Sequence, residues 1–148
     1  MRMRPTRSWS LLIAAALTVA AITTVSACSP SAPTSSSTTP ATGAHLAASS
    51  FSTAIRVPGT IVLDVRTPAQ YASGHLPAAQ NINIEGTDFA TRITALDKDA
   101  TYAVYSHSGN RSGAALEQMT AAGFTHVYDL AGGTGAWQSM GRPIATGG

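Results

Sequence analysis

Eight consecutive residues, Tyr105-Ser106-His107-Ser108-Gly109-Asn110-Arg111-Ser112, hold most of the chemistry this chain can offer. They follow the apolar run Thr101–Tyr105 and precede a helical pattern, so they read as a strand end, a tight loop and a helix start. Gly109 and Asn110 tolerate a positive φ, which lets successive backbone N–H groups curl round one centre as an anion-holding nest. The dipole of the following helix adds partial positive charge there, and Arg111 adds a full one. A thiol at the head of such a loop would be driven to thiolate. Position 106 holds a hydroxyl instead. Serine becomes a good nucleophile only beside a positioned base. His107 is adjacent, but neighbours in a tight loop usually point apart, and no Gly-x-Ser-x-Gly elbow surrounds Ser106. The single cysteine, Cys28, lies far upstream.

The other polar candidates have plainer roles. Asp64 and Arg66 are expected to hold a strand end to neighbouring loops as a pair, and His75 to fix a loop through backbone hydrogen bonds. His45, His107 and His126 lack metal-ligand spacing, so neither a metal nor another cofactor is expected. Trp137 is expected in the core. Gly132-Gly133-Thr134-Gly135 lacks the Lys-Ser/Thr ending of a P-loop and indicates a tight turn. Arg111 has two readings, binding an anion or tying the loop to a helix or carboxylate.

The elements that position these residues alternate. Thr60–Val65 is a continuous apolar run rich in β-branched residues, the pattern of a strand buried on both faces. Thr67 can cap a short helix Pro68–Ser73 that Gly74 ends. Ala79–Ile84 reads as a strand and Asp88–Leu96 as a helix with Phe89, Ile93 and Leu96 on one face. Thr101–Tyr105 is a strand, Arg111–Ala122 a helix with Ala115, Leu116 and Met119 inward, His126–Leu130 a strand, and Gly135–Met140 a last short helix. Strand and helix in alternation specify an α/β fold, a central parallel sheet with helices on both faces.

The N-terminal part is of another kind. Arg2, Arg4 and Arg7 precede the apolar stretch 11–22, which is short for a bilayer span of about 20 residues. Residues 1–27 are therefore expected to be a signal peptide. Val25-Ser26-Ala27-Cys28 resembles the lipobox of bacterial lipoproteins, in which the cysteine is acylated and becomes the new N-terminus; ordinary cleavage after Ala27 is the alternative. Residues 28–43 would then be a lipidated cysteine and a Ser/Thr/Pro-rich tether, and 44–148 the domain. The expected location is the extracytoplasmic face of a membrane, held by the lipid. A lone cysteine forms no internal disulfide, so the domain rests on its core. Of the nine Lys and Arg, three belong to the leader, leaving six against seven acids. A mature chain near −1 is a poor match for nucleic acid.

Three stretches resemble the rhodanese-like sulfurtransferase family. The first is Leu63-Asp64-Val65-Arg66-Thr67-Pro68, continuing through Tyr71 to Gly74-His75-Leu76-Pro77-Ala78-Ala79. The second is Tyr105 to Ala114. The third is Leu130-Ala131-Gly132-Gly133, with Gly135-Ala136-Trp137 and Gly141-Arg142-Pro143. The resemblance implies a three-layer fold with the active loop at 106–111. It implies a persulfide-carrying cysteine at the position of Ser106, with Arg111 as the loop arginine. The six-residue loop resembles sulfur-handling members; related phosphatases use one residue more. The expectation is a domain without sulfurtransferase activity that binds a small sulfur-containing or other anion, or a protein partner, through Ser106, His107, Ser108, Gly109, Asn110 and Arg111. The alternative is sulfur transfer by a non-standard route.

Overall fold

The computed structural model describes residues 39–147, so the leader, Cys28 and most of the tether lie outside the described residues. The elements are β1 (Ala44–Leu46), α1 (Ala48–Ala54), β2 (Thr60–Asp64), α2 (Pro68–Ser73), β3 (Gln80–Asn81), α3 (Phe89–Thr94), β4 (Thr101–Tyr105), α4 (Asn110–Ala121), β5 (His126–Leu130) and α5 (Gly133–Ser139). The five strands form one sheet in the order β1-β5-β4-β2-β3, and every neighbouring pair is parallel. The expected α/β architecture is the one the chain adopts. Among the described residues no helix is long and apolar enough to cross a membrane.

Strand alternation divides the core into two layers. Leu63, Tyr102, Val104 and Val127 face one side, where Phe89 and Ile93 of α3 and Ala115, Leu116 and Met119 of α4 cover them. Val62, Ala103, Tyr105, Tyr128 and Leu130 face the other, against Phe51 of α1 and Trp137 of α5. The same parity places the polar residues at the strand ends. Asp64 and Tyr105 fall on the α1/α5 side, while Ser106 and Asp129 fall on the α4 side.

The chain's local chemistry explains most boundaries. Thr67 Oγ1 accepts from Gln70 N at 3.4 Å, Pro68 takes the first turn, and Gly74 closes α2. Three boundaries differ from the sequence pattern by more than one residue. The strand expected over 79–84 pairs only at Gln80–Asn81, since β3 is a sheet edge; Ile82 N and Ile84 N still donate to Asp64 O and Val65 O. Helix α3 stops at Thr94 rather than Leu96. Helix α5 begins at Gly133, so the glycine-rich segment read as a tight turn also opens a helix.

Two elements carry no sequence signal. Strand β1 is three residues long, and α1 reads Ala-Ser-Ser-Phe-Ser-Thr-Ala, with low helix propensity and one large apolar side chain. Tertiary packing holds α1 in place. Phe51 is fully buried and meets Tyr128 and Trp137 edge-on, with ring centroids 6.0 and 6.4 Å away.

Candidate functional site

The loop 106–109 joins the carboxyl end of the central strand β4 to the start of α4, the place where open α/β sheets gather ligands. Ser106 is fully buried. Its Oγ accepts from Gly109 N at 3.1 Å and lies 3.5 Å from Ser112 Oγ. Gly109 has φ +95°, and a Cβ there would come within 3.0 Å of Gly132 N. Among the described residues, the N–H groups of His107, Ser108, Asn110, Arg111 and Ser112 meet no acceptor. The loop thus carries a set of unpaired donors at a helix start.

Two of its carbonyls are held from α5. Ser106 O accepts from Thr134 N at 2.9 Å, and His107 O accepts from Thr134 Oγ1 at 3.3 Å. The start of α5 therefore serves as the loop's anchor, using donors that a helix leaves free in its first turn. Gly133 makes this approach possible. Its φ is +56°, and a Cβ would stand 2.3 Å from Ser106 O and 2.5 Å from His107 O.

Behind Ser106 runs a chain of polar groups. Ser112 Oγ donates to Asp129 Oδ2 at 2.8 Å, with Gly109 O a competing acceptor at 2.9 Å. His45 Nδ1 meets Asp129 Oδ1 at 2.7 Å. One hydroxyl proton cannot serve both acceptors, and the carboxylate is the stronger. No basic side chain among the described residues reaches Ser106 Oγ. His107 turns away, its Nδ1 lying 3.3 Å from Thr134 Oγ1.

Arg111 crosses the front of the loop. Its Nη1 donates to Glu85 Oε2 at 3.0 Å and its Nη2 to Gln70 Oε1 at 2.9 Å. Of its two sequence readings, the tie to a carboxylate is present in the geometry. It joins α4 to α2 and to the segment between β3 and α3. Beside it lies a cleft of about 280 Å³, lined in part by Arg66, Gln70, His107 and Thr134.

Asp64 and Arg66 form the buried pair expected of them. Arg66 Nη2 donates to Asp64 Oδ2 at 2.6 Å and to Gly74 O at 2.6 Å, and Arg66 Nε lies 3.0 Å from both carboxylate oxygens. Tyr105 OH donates to Asp64 Oδ2 at 2.6 Å and accepts from Leu76 N at 3.0 Å. Burial, then the hydrogen bond to Asp64, pushes the Tyr105 phenol far above its usual range. Burial alone would lower the Arg66 guanidinium, but its bonds to Asp64 outweigh this and raise it. His75 fixes the following loop. Its ring stacks on Tyr71 at 3.9 Å, and its backbone exchanges two hydrogen bonds with Ala145. Trp137 is buried and donates to Pro143 O.

The structure brings Ser106 to Arg111 together as one loop; Cys28 lies outside the described residues. Sequence reasoning gave no role to Gln70, Glu85, Thr134, Asp129 or Ser112, nor to His45 as a carboxylate's partner. Only Ser112, inside the loop motif, carried a local signal. Among the described residues no three His, Cys, Asp or Glu side chains are grouped to hold a metal.

The model of the rhodanese-like domain family matches residues 47–140, and the chain belongs to that family. It is 38% identical over 87 residues to the thiosulfate sulfurtransferase GlpE of Pseudomonas fluorescens, covering 58% of this chain and 77% of that one. Against GlpE of Pseudomonas aeruginosa it is 37% identical over 87 residues, 58% and 76% of the two chains. A rhodanese-related protein of Thermoplasma volcanium superposes with a TM-score of 0.61 at 30% identity, covering 69% of this chain and 97% of its own. The rhodanese-like domain of an Anabaena protein gives 0.62 at 30% identity, covering 69% and 78%.

Proposed function

We propose that this chain is a lipid-anchored, extracytoplasmic rhodanese-like domain that binds an anion or a protein partner through its 106–111 loop and does not transfer sulfur. One observation carries the reading: the residue heading the loop presents an oxygen, Ser106 Oγ, held by Gly109 N–H with no base in reach. A thiol of ordinary pKa about 8.5 can be drawn to thiolate in such surroundings; a hydroxyl lies far outside that range and cannot form a persulfide. Donors that would stabilise the loop's own sulfur anion then have none to stabilise. Five N–H groups without a protein acceptor support binding of an external oxyanion instead. Anchoring through Cys28 rests on the lipobox resemblance, and replacing Cys28 by serine is expected to release the protein from the membrane fraction.

The rival reading, sulfur transfer by a non-standard route, draws on the GlpE relatives, which are named as thiosulfate sulfurtransferases. Thiosulfate-to-cyanide transfer separates the two. The native chain is expected to be inactive and Ser106→Cys to gain turnover. Turnover by the native chain, or a sulfane adduct on it, would establish the rival.

A further inference from the structure

We infer that the cleft between α2, α5 and the loop is a binding site for a small organic oxyanion, a carboxylate or sulfonate on a short apolar tail, held by Arg66 Nη1. The cleft shares His107 with the 106–111 loop but takes its charge from Arg66, so this inference goes beyond the loop reading and stands apart from it. Arg66 is only 5% exposed. Its Nε and Nη2 are spent on Asp64 and Gly74 O, and its guanidinium lies over the Tyr105 ring, 5.5 Å from the centroid. Nη1 meets no acceptor among the described residues. It is not sealed in either, since Tyr128 OH is the one buried side-chain polar atom there left without a partner. Nη1 therefore opens on the cleft of about 280 Å³ that Arg66 lines. A cation buried and fixed on two sides thus presents two unused N–H groups to a cavity, and such donors bind anionic oxygens most strongly.

The charge balance favours an anion here. Asp64 occupies the Nε–Nη2 edge of the guanidinium, so the ion pair turns its positive end to the cleft. An oxygen at Nη1 touches the cation, while the Asp64 carboxylate lies beyond it and repels less than the cation attracts. No Asp or Glu lines the cleft. Neutral donors add to the attraction. Gln70 Oε1 is taken by Arg111 Nη2, which leaves the Gln70 amide nitrogen free to donate. Gln138 is exposed at the cleft wall, and its side chain makes no hydrogen bond among the described residues. Ile144 supplies an apolar surface for a short tail. Pockets for drug-sized ligands hold about 300–1,000 Å³, so a cleft at the foot of that range takes a small molecule.

Butanoate and butanamide, matched in shape and different in charge, test this by NMR titration of the detergent-solubilised full chain. Butanoate is expected to shift the Arg66 Nε–H signal and the Gln70 and Gln138 side-chain amide signals. It is expected to bind about tenfold more tightly than butanamide, a margin that a hydrogen bond between charged groups supports. Replacing Arg66 would strand the buried Asp64, so the charge is varied at the exposed Gln138 instead. Gln138→Glu is expected to weaken butanoate about two- to fivefold, and Gln138→Lys to strengthen it by about as much, the span of exposed ion pairs. Equal affinity for the two probes would overturn the inference. So would a butanoate affinity indifferent to both Gln138 variants, or no shift at the three side chains. Sulfate titrated into the same sample is read at the Ser108 and Asn110 backbone amides, so the loop reading can fail while this one stands, and the reverse.

Discussion

Asp64 is a charged residue with no solvent exposure, and its surroundings show how such a charge is kept. Its carboxylate receives Arg66 Nε, Nη2 and backbone N, and the phenol of Tyr105. Arg66 then reaches Gly74 O and Tyr105 reaches Leu76 N, so one buried ion pair ties the end of β2 to the loop after α2. Removing one partner strands the other. Asp64→Ala is expected to lower the unfolding free energy by about 3–5 kcal/mol. Tyr105→Phe, which leaves Leu76 N–H unmet, is expected to lower it by about 1–3 kcal/mol. Urea unfolding measures both, and a loss below about 1 kcal/mol for Asp64→Ala would contradict the role given to the pair.

At the scale of elements, the loop is built by two helix starts that meet across it. Helix α4 supplies the donors in front, and α5 grips the loop carbonyls from behind through Thr134. Gly133 is the point of contact. Gly133→Ala adds a Cβ to a position with φ +56° and drives it into two backbone carbonyls that have no room to move. Overpacking and the left-handed backbone each cost about 1–3 kcal/mol and 1–2 kcal/mol. The variant is expected to melt at lower temperature and to lose hydrogen-exchange protection at Thr134 N–H. Wild-type protection at that amide would show that α5 does not anchor the loop.

For the whole molecule, a single sheet serves two cores, and three buried tyrosines hang from its central strands. Burial is the largest cause of the raised pKa of Tyr102, Tyr105 and Tyr128 alike. Above an ordinary phenol value of about 10, the unfolded chain releases protons that the folded chain keeps. The unfolded state then binds fewer protons, so stability falls as pH rises. Stability is expected to be flat with respect to these groups below about pH 9 and to decline above pH 10, by up to about 1.4 kcal/mol per pH unit for each tyrosine. Denaturant midpoints across that range check it. Midpoints unchanged to pH 12 would contradict the burial of these phenols.

Much of this was legible before any coordinates. The alternation of apolar runs and helical patterns sufficed for the α/β class, because burial on both faces demands continuous β-branched runs such as Thr60–Val65. The loop, its hydroxyl at position 106 and its helix-start donors were also evident, since they lie within eight consecutive residues. The short elements β1 and α1 were not, because three residues show no period and a Ser-rich helix held by one Phe shows no stripe. Nor were the partners of the charges. Arg111 meets residues 26 and 41 positions away, and His45 meets Asp129 across 84. Local pattern reports which groups face inward or outward, but a charge selects its partner by distance in space. Only the folding of the sheet brought Glu85 and Gln70 within reach of Arg111, and that pairing, not the loop's composition, decides how the loop's one full positive charge is held.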